Sequence, residues 1–503
     1  MKRLAARFGS GLLTASLVVA ACSDEHGKPP QPGTSGATDA GTAGATSTGA
    51  TDAGGAGTLA PGGEGGMPTT AGEAGQSGSA MGGVAGEVSE RVVYPAYGPS
   101  PYPAENPHSD AKAKLGKILF WDEQLGGDDT VACGTCHRPN AGGSDPRAST
   151  AAAALPGPDQ QLGTNDDIHG SLGLVRCDAQ GSPTGTILQV TGRKAPSYLD
   201  AMFSAKLFWD GRAECSKDGC PSDSAFEDPD NPGTFPITSG GALENQAVGP
   251  PLSPVEMACE QASWAGIHAD LTTATPLGLA KQIPADLAQF IAEHDASYPK
   301  LFQAAFGSEQ TSGPADEINT RRIAFAIATH ERRLLSNQTP WDRYNAGELD
   351  ALTPAQERGW ELHRIHCDSC HRAPIFSDGD FHFIGFHRPS ADLGRKAIDP
   401  EYGVAGAMRT ATLRNVGLRE ATGLLHNGAG VGASLAAIIE LYDQGGLVDD
   451  PEIAAVPISA SIKALNLSQD DKADLLDFLQ HGLEDPRVGA QLPPFDRPLL
   501  SSE

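Results

Sequence analysis

The stretch that decides the fold is Cys367-Asp368-Ser369-Cys370-His371. Two thiols separated by two residues and followed directly by a histidine form the c-type haem attachment pattern. The cysteines add across the two vinyl groups as thioethers, and the histidine binds the iron from one side. A second copy, Cys133-Gly134-Thr135-Cys136-His137, stands upstream. A zinc knuckle does not require a histidine directly after the second cysteine, and a redox dithiol requires none. Two complete copies therefore predict two covalently bound haem c groups.

Around these motifs the 503 residues suffice for two domains with proper cores. The chain opens on a basic Met1-Lys2-Arg3. Residues 11–21 are apolar, too few to span a bilayer and about right for a signal h-region. The run ends in Val19-Ala20-Ala21-Cys22, a bacterial lipobox pattern that predicts a signal at 1–22, cleaved before a lipidated Cys22. An ordinary signal peptide ending near a cysteine is the alternative. The expected address is the periplasm, tethered to a membrane through Cys22. Residues 23–94 form a linker rich in Gly, Ala, Thr and Ser, with no aromatic between Phe8 and Tyr94. Such a segment cannot bury enough apolar surface to offset its chain entropy, so a disordered tether is expected. The net charge of −27 argues against nucleic acid and against an anionic lipid surface. Of nine cysteines, one is Cys22 and four belong to the motifs. Cys177, Cys215, Cys220 and Cys259 remain, which in an oxidising compartment predicts two disulfides in one of three pairings. Cys215 with Cys220, closing a short loop, is the first expectation.

The first haem half is expected over 95–335. Residues 110–120 read as an amphipathic helix carrying Ala111, Leu115, Ile118 and Leu119 on one side. The Gly, Pro and Asp content from His137 to about Gly192 reads as a long irregular loop. Beyond it stand Arg193-Lys194-Ala195-Pro196-Ser197, Leu207-Phe208-Trp209-Asp210-Gly211-Arg212, Glu244-Asn245-Gln246 and Leu252-Ser253-Pro254-Val255-Glu256-Met257. Taken alone, Trp209 reads as a core aromatic, Gln246 as a loop hydrogen-bonder and Glu256 as a capped or salt-bridged carboxylate. A further amphipathic helix is expected over 318–335, with His330 a packing or surface residue.

These stretches, in this order after a CxxCH, resemble the bacterial di-haem cytochrome c peroxidase superfamily, which includes the MauG-like di-haem oxidases. The likeness runs from about Tyr97 to Leu483. It implies that Trp209 relays electrons between the haems and that Gln246 and Glu256 line a peroxide pocket. A carboxyl group there can carry a proton from one peroxide oxygen to the other. Two departures stand out. Where relatives carry a calcium-binding Asn, this chain has Lys194, which is no calcium ligand and argues against that ion. Where the peroxidases carry a histidine on the first haem, this chain has Thr186. His169 is the nearest histidine and reads as a loop residue, which leaves the first site open.

The second haem half is expected over 336–503. Thr353-Pro354 opens the helix that delivers the second motif, and His363 and His366 read as surface or packing residues. The run Thr412-Leu413-Arg414-Asn415-Val416 also resembles the superfamily, and Arg414 is expected to meet a haem propionate. Ser434 caps the next helix, which sets Leu435, Ile438, Ile439 and Tyr442 on one face. The resemblance puts Tyr442 where typical peroxidases have an axial methionine and MauG-like enzymes a tyrosine; Met408 is the alternative ligand. Ser468 with Asp471 caps a last helix, and the Pro-rich tail is expected to cross back over the first half.

The expected fold is mainly α, with two c-type cytochrome domains packed together and long irregular loops. The leading expectation is a peroxidase that reduces hydrogen peroxide to water at the first haem. Its electrons come through the second haem from a small donor protein, a c-type cytochrome or cupredoxin. The alternatives are a MauG-like oxidase acting on residues of a partner protein, and a non-catalytic di-haem electron carrier.

Overall fold

The computed structural model describes residues 92–503, except 157–158, 165–166, 179–181, 216–218, 308–313, 315 and 429–433. The expected signal, Cys22 and the linker up to residue 91 lie outside the described residues. All described residues fall in one compact unit. They are mainly helical with little strand, and none of their helices is long and apolar enough to cross a membrane.

The first half carries α1 (Asp110–Trp121), α2 (Cys133–Cys136), the strand pairs β1 (Ala154–Leu155) with β2 (Ile168–His169) and β3 (Leu172–Cys177) with β4 (Pro183–Val190), then α3 (Ala242–Ala247), α4 (Trp264–Thr273), α5 (Ala285–Glu293), α6 (Tyr298–Phe306) and α7 (Thr320–Glu331). Ser109 caps α1 by accepting from the Lys112 amide, which satisfies one of the helix's open donors. Leu115, Ile118 and Leu119 are then fully buried, together with Phe302, Phe306 and Ile323. Side chains of this size contribute about 1.5–3 kcal/mol each on burial. Gly116 lets α1 and α7 touch backbone to backbone, because a Cβ there would lie 1.8 Å from the Ala326 carbonyl oxygen. Helix α7 is shorter at both ends than the periodicity suggests. Asn319 caps it by accepting from the Arg322 amide, and its C-terminal turn closes at Arg332.

The expected loop after His137 is a second correction. It contains two antiparallel pairs, the larger with Leu172 opposite Val190 and Val175 opposite Leu188. The Cys177–Cys259 disulfide ties β3 to the segment after Glu256, and Cys215 pairs with Cys220 as expected.

The second half carries α8 (Pro340–Asn345), α9 (Pro354–His366), β5 (Phe381–His382) paired with β6 (Met408–Arg409), α10 (Val416–Arg419), α11 (Leu435–Gln444), α12 (Pro451–Ala454), α13 (Gln469–Asp477) and α14 (Pro486–Gly489). The caps fall where the sequence places them. Thr353 accepts from Gln356, Ser434 from Ala437 and Ser468 from Asp471. A separate core gathers Trp341, Trp360, Phe376, Ile439, Leu475 and Phe478. The C-terminal tail crosses to the first half, where the Leu499 amide donates to the Gln282 carbonyl and the Ser501 amide to Glu123.

Candidate functional site: two cavities meeting at Trp209

Each CxxCH segment turns tightly enough to put its three functional side chains on one cavity. In the first, the short helix α2 carries both cysteines. Gly134 is required there because a Cβ would fall 2.2 Å from the Trp121 ring. His137 Nδ1 lies 3.2 Å from the Gly143 carbonyl, and His371 Nδ1 lies 3.1 Å from the Phe376 carbonyl. Spending Nδ1 on a carbonyl fixes the ring and leaves the other nitrogen available to bind a metal. Burial pulls both imidazoles below the ordinary histidine range, which keeps them neutral.

The cysteine chemistry separates cleanly. Cys177, Cys259, Cys215 and Cys220 are oxidised in pairs, whereas Cys133, Cys136, Cys367 and Cys370 are free thiols. Burial pushes the Cys133 and Cys367 thiols up to about 12, the opposite of what a redox dithiol or thiolate metal site needs. Two free thiols beside one neutral histidine on the wall of a cavity fit a thioether-linked haem, and the arrangement occurs twice.

The first cavity measures about 800 Å³ and is lined by Cys133, Cys136 and His137 together with Trp209, Gln246 and Glu256. Three sequence-predicted site residues thus meet the first motif. Gln246 comes from α3. Glu256 sits in a turn whose amides at 256, 257 and 258 all donate to the Ser253 carbonyl. The Glu256 carbonyl in turn accepts from Leu174 of β3, so the hairpin and its disulfide hold this turn. Burial raises the Glu256 carboxyl above its ordinary value, against the pull of Arg212 and a hydrogen bond with Ser253. Such a group holds its proton more readily than an ordinary carboxyl, as a general acid–base group does.

The second cavity measures about 230 Å³ and is lined by Cys367, Cys370, His371, Met408, Tyr442 and again Trp209. Tyr442 packs its ring 4.7 Å from Phe386, and burial pushes its phenol up. Its hydroxyl makes no hydrogen bond among the described residues. Tyr442 and Met408 both reach this cavity, so both ligand expectations stay geometrically open. Trp209 lines both cavities, with its indole N–H donating to the Lys194 carbonyl at 2.8 Å.

The di-haem cytochrome c peroxidase family pattern matches residues 110–350. The methylamine utilization protein MauG of Methylorubrum extorquens is 28% identical over 384 residues, covering 76% of this chain and 80% of that protein. Cytochrome c peroxidase Ccp of Escherichia coli K12 is 26% identical over 326 residues, covering 63% of this chain and 50% of that protein. The family pattern and these relatives support the di-haem cytochrome c peroxidase superfamily, MauG-like proteins included. A solved MauG-like protein associated with microbial copper homeostasis superposes with a TM-score of 0.55 over 80% of this chain and 97% of that one, at 24% identity, and supports the same fold. The likeness makes the chain an oxidoreductase and implies two haem cofactors.

Several expectations need correction within this superfamily frame. Arg414 does not face either cavity. It is fully buried, grips Asp342 through two hydrogen bonds of 2.9 and 2.8 Å, and donates further to the Ser336 and Pro374 carbonyls. Its charge is spent on the protein, so the expected propionate contact is withdrawn. His169 is not a surface loop residue. It lies part-buried on β2 with Nδ1 3.2 Å from the Ala148 carbonyl, and its neighbour Ile168, not His169, lines the first cavity. Thr186 is exposed on β4. His330 and His363 are buried packing residues, the first against Phe120 and the second stacked on Trp360, while His366 lines the second cavity. Lys194 is buried, and its ammonium donates to Ser144 Oγ and Thr422 Oγ1.

Sequence reasoning missed three arginines. Arg212 lines the first cavity and lies 3.7 Å over the Phe208 ring. Arg193 joins Asp210 to Asp392 at the edge of that cavity. Arg409 lines both cavities. Arg193 and Arg409 have partners distant in the chain, Asp392 for the first and Ser204 and Phe208 for the second, so no local pattern marks them.

Proposed function

We infer that the chain is an exported di-haem c peroxidase. Hydrogen peroxide takes two electrons and two protons at the first haem and leaves as two waters. The electrons come from an external donor, a small c-type cytochrome or cupredoxin, through the second haem and Trp209. The observation that carries this reading is the pairing in one cavity of the first CxxCH motif with Glu256, a carboxyl whose burial raises its affinity for a proton. The haem iron, when bound, supplies Lewis acidity and electrons. Glu256 accepts a proton from one peroxide oxygen and returns it to the other, and Gln246 orients the substrate by its amide. Trp209, on the wall of both cavities, is the relay. His137 and His371 are the proximal ligands, and the two halves, 95–335 and 336–503, act as peroxidatic and electron-transfer haem domains. Calcium has no place in this scheme, since Lys194 fills its expected position. Export follows from the lipobox reading, with the chain tethered through a lipidated Cys22; the two disulfides suit that address.

One observation favours a second reading. Tyr442 lines the second cavity, and its hydroxyl makes no hydrogen bond among the described residues. A phenolate is a hard anionic donor that holds iron oxidised, which suits a MauG-like oxidase acting on residues of a partner protein. The two readings separate in one assay of the holoprotein. Steady peroxide consumption with a reduced small cytochrome c supports the peroxidase. Peroxide reactivity without turnover of that donor sinks it in favour of the oxidase.

A further inference from the structure

Several buried guanidinium groups in this protein are matched by carboxylates. Arg332 pairs with Glu244, Arg395 with Glu214, Arg414 with Asp342 and Arg138 with Glu503. Arg419, on the second cavity, has only the Gly142, Thr412 and Arg414 carbonyls as partners among the described residues, and Arg409 lacks a carboxylate as well. Arg409 is only 8% exposed and has no carboxylate within ion-pair distance among the described residues. Its side chain makes two hydrogen bonds, both to neutral oxygens, Nε to the Phe208 carbonyl at 3.1 Å and Nη1 to Ser204 Oγ at 3.1 Å. Three of its five N–H donors, including both on Nη2, are unspent among the described residues. A buried cation isolated in this way is destabilising unless a counter-charge arrives.

The place of this cation is equally specific. Arg409 lines both cavities, as does Trp209. Its own amide donates to the Trp209 carbonyl at 2.8 Å while its Nε holds the preceding carbonyl, that of Phe208. One residue therefore clamps two consecutive peptide units of the relay segment and presents an unpaired guanidinium where the two cavities meet. Burial alone lowers Arg409 to about 10, as expected of a cation without its partner.

We propose that Arg409 is the shared counter-charge of the two cofactors, its free guanidinium N–H groups binding a propionate carboxylate of each haem. The proposal rests on the reading of both cavities as haem sites. A planar guanidinium can serve two carboxylates at once, which an ammonium cannot do with the same geometry. Electrostatically, one charge then acts on both redox centres, so their potentials move together when it is removed.

The test is a spectroelectrochemical titration of both haems in the holoprotein, with Arg409→Gln and Arg409→Lys beside the wild type. Loss of the cation leaves carboxylate charge uncompensated and favours the ferric state. In Arg409→Gln both haems are expected to shift about tenfold toward ferric in their one-electron equilibria, about 59 mV each. Arg409→Lys keeps the charge and is expected to stay within threefold of wild type at both. Unchanged midpoints in Arg409→Gln, or a shift at one haem only, overturn the shared role. If Arg409→Gln does not accumulate with both haems, the resonance Raman propionate-bending bands of Arg409→Lys decide. Both haems' bands are expected to move as the fork is replaced by a point charge, and bands identical to wild type overturn the proposal. Neither readout uses peroxide. A protein with paired shifts but no peroxide turnover sinks the peroxidase reading alone, and active protein without the shifts sinks only the role of Arg409.

Discussion

The two cavities share a cradle and differ in what faces it. Each places two free thiols and a histidine on its wall, with Nδ1 of that histidine tied to a backbone carbonyl five or six residues on. Opposite the cradle they diverge. The first cavity is large and takes Gln246, Glu256 and Arg212 from a short helix and loops. The second is smaller and takes Tyr442 from α11 and Met408 from β6. The cradle is thus encoded locally and repeated, whereas the rest of each lining comes from segments far away in the chain. That division gives the proposed enzyme one site for substrate and one for electrons.

The largest effect that would break this asymmetry is expected at Glu256. Glu256→Gln keeps the size of the side chain and removes its proton exchange. Peroxide consumption is expected to fall about a hundredfold or more, the usual scale of a lost acid–base group. A near-wild-type rate in a stopped-flow peroxide assay would remove Glu256 from the mechanism and leave the two cavities functionally alike.

A smaller effect sharpens the same point through pH. Burial raises the Glu256 carboxyl, so its basic form is present above that raised value and is lost as pH falls through it. The acid limb of peroxide consumption should therefore lie above the ordinary carboxylate range, with the rate dropping about tenfold per pH unit below it. Arg212 opposes the shift, so Arg212→Gln should move the limb to higher pH. A limb that ignores both Arg212→Gln and Glu256→Gln belongs to another group.

The first cradle carries a steric prediction that the second does not share. Gly134 lies against Trp121 with no room for a methyl group, whereas its counterpart in the second motif, Asp368, has a side chain already. Gly134→Ala is expected to cost about 1–3 kcal/mol by overpacking. Chemical denaturation of the holoprotein measures it, and an unchanged midpoint would mean that α2 shifts freely on α1.

These contrasts also explain what could be read from the sequence. The cradles and the caps at Thr353, Ser434 and Ser468 are legible because each is settled within a few residues. The segment after His137 misleads because its Gly, Pro and Asp residues outweigh the Val, Ile and Thr of β3 and β4, and because the disulfide that pins the pair joins Cys177 to Cys259, 82 residues away. Arg414 misleads for a similar reason. A conspicuous arginine near a haem motif suits a propionate, but its partner Asp342 lies 72 residues earlier and nothing local reveals that its charge is already taken. Arg409 escapes notice by the converse logic, since the lack of a carboxylate around a buried guanidinium is a property of packing alone. Gln246, Glu256 and Trp209 line the first cavity, although composition by itself gave them ordinary roles.

Tyr442 carries the smallest expected energetic effect and the finest test of how the two cavities differ. Removing a hydroxyl that has no hydrogen-bond partner leaves nothing unsatisfied, so Tyr442→Phe should be close to neutral for stability. If the oxygen binds the second iron, however, the same substitution changes the ligand field at one haem and leaves the other untouched. The absorption and EPR spectra of the ferric protein are then expected to change for a single haem, with the first haem's signals and its peroxide binding retained. Met408→Leu serves as the counter-variant, since the thioether lines the same cavity from β6. A spectrum altered by Met408→Leu and indifferent to Tyr442→Phe would make the second centre a thioether site, raise the expected potential of its Fe(III)/Fe(II) couple and weigh for the peroxidase over the oxidase. Spectra indifferent to both would return Tyr442 to the core and leave the second centre without an axial side chain from either segment.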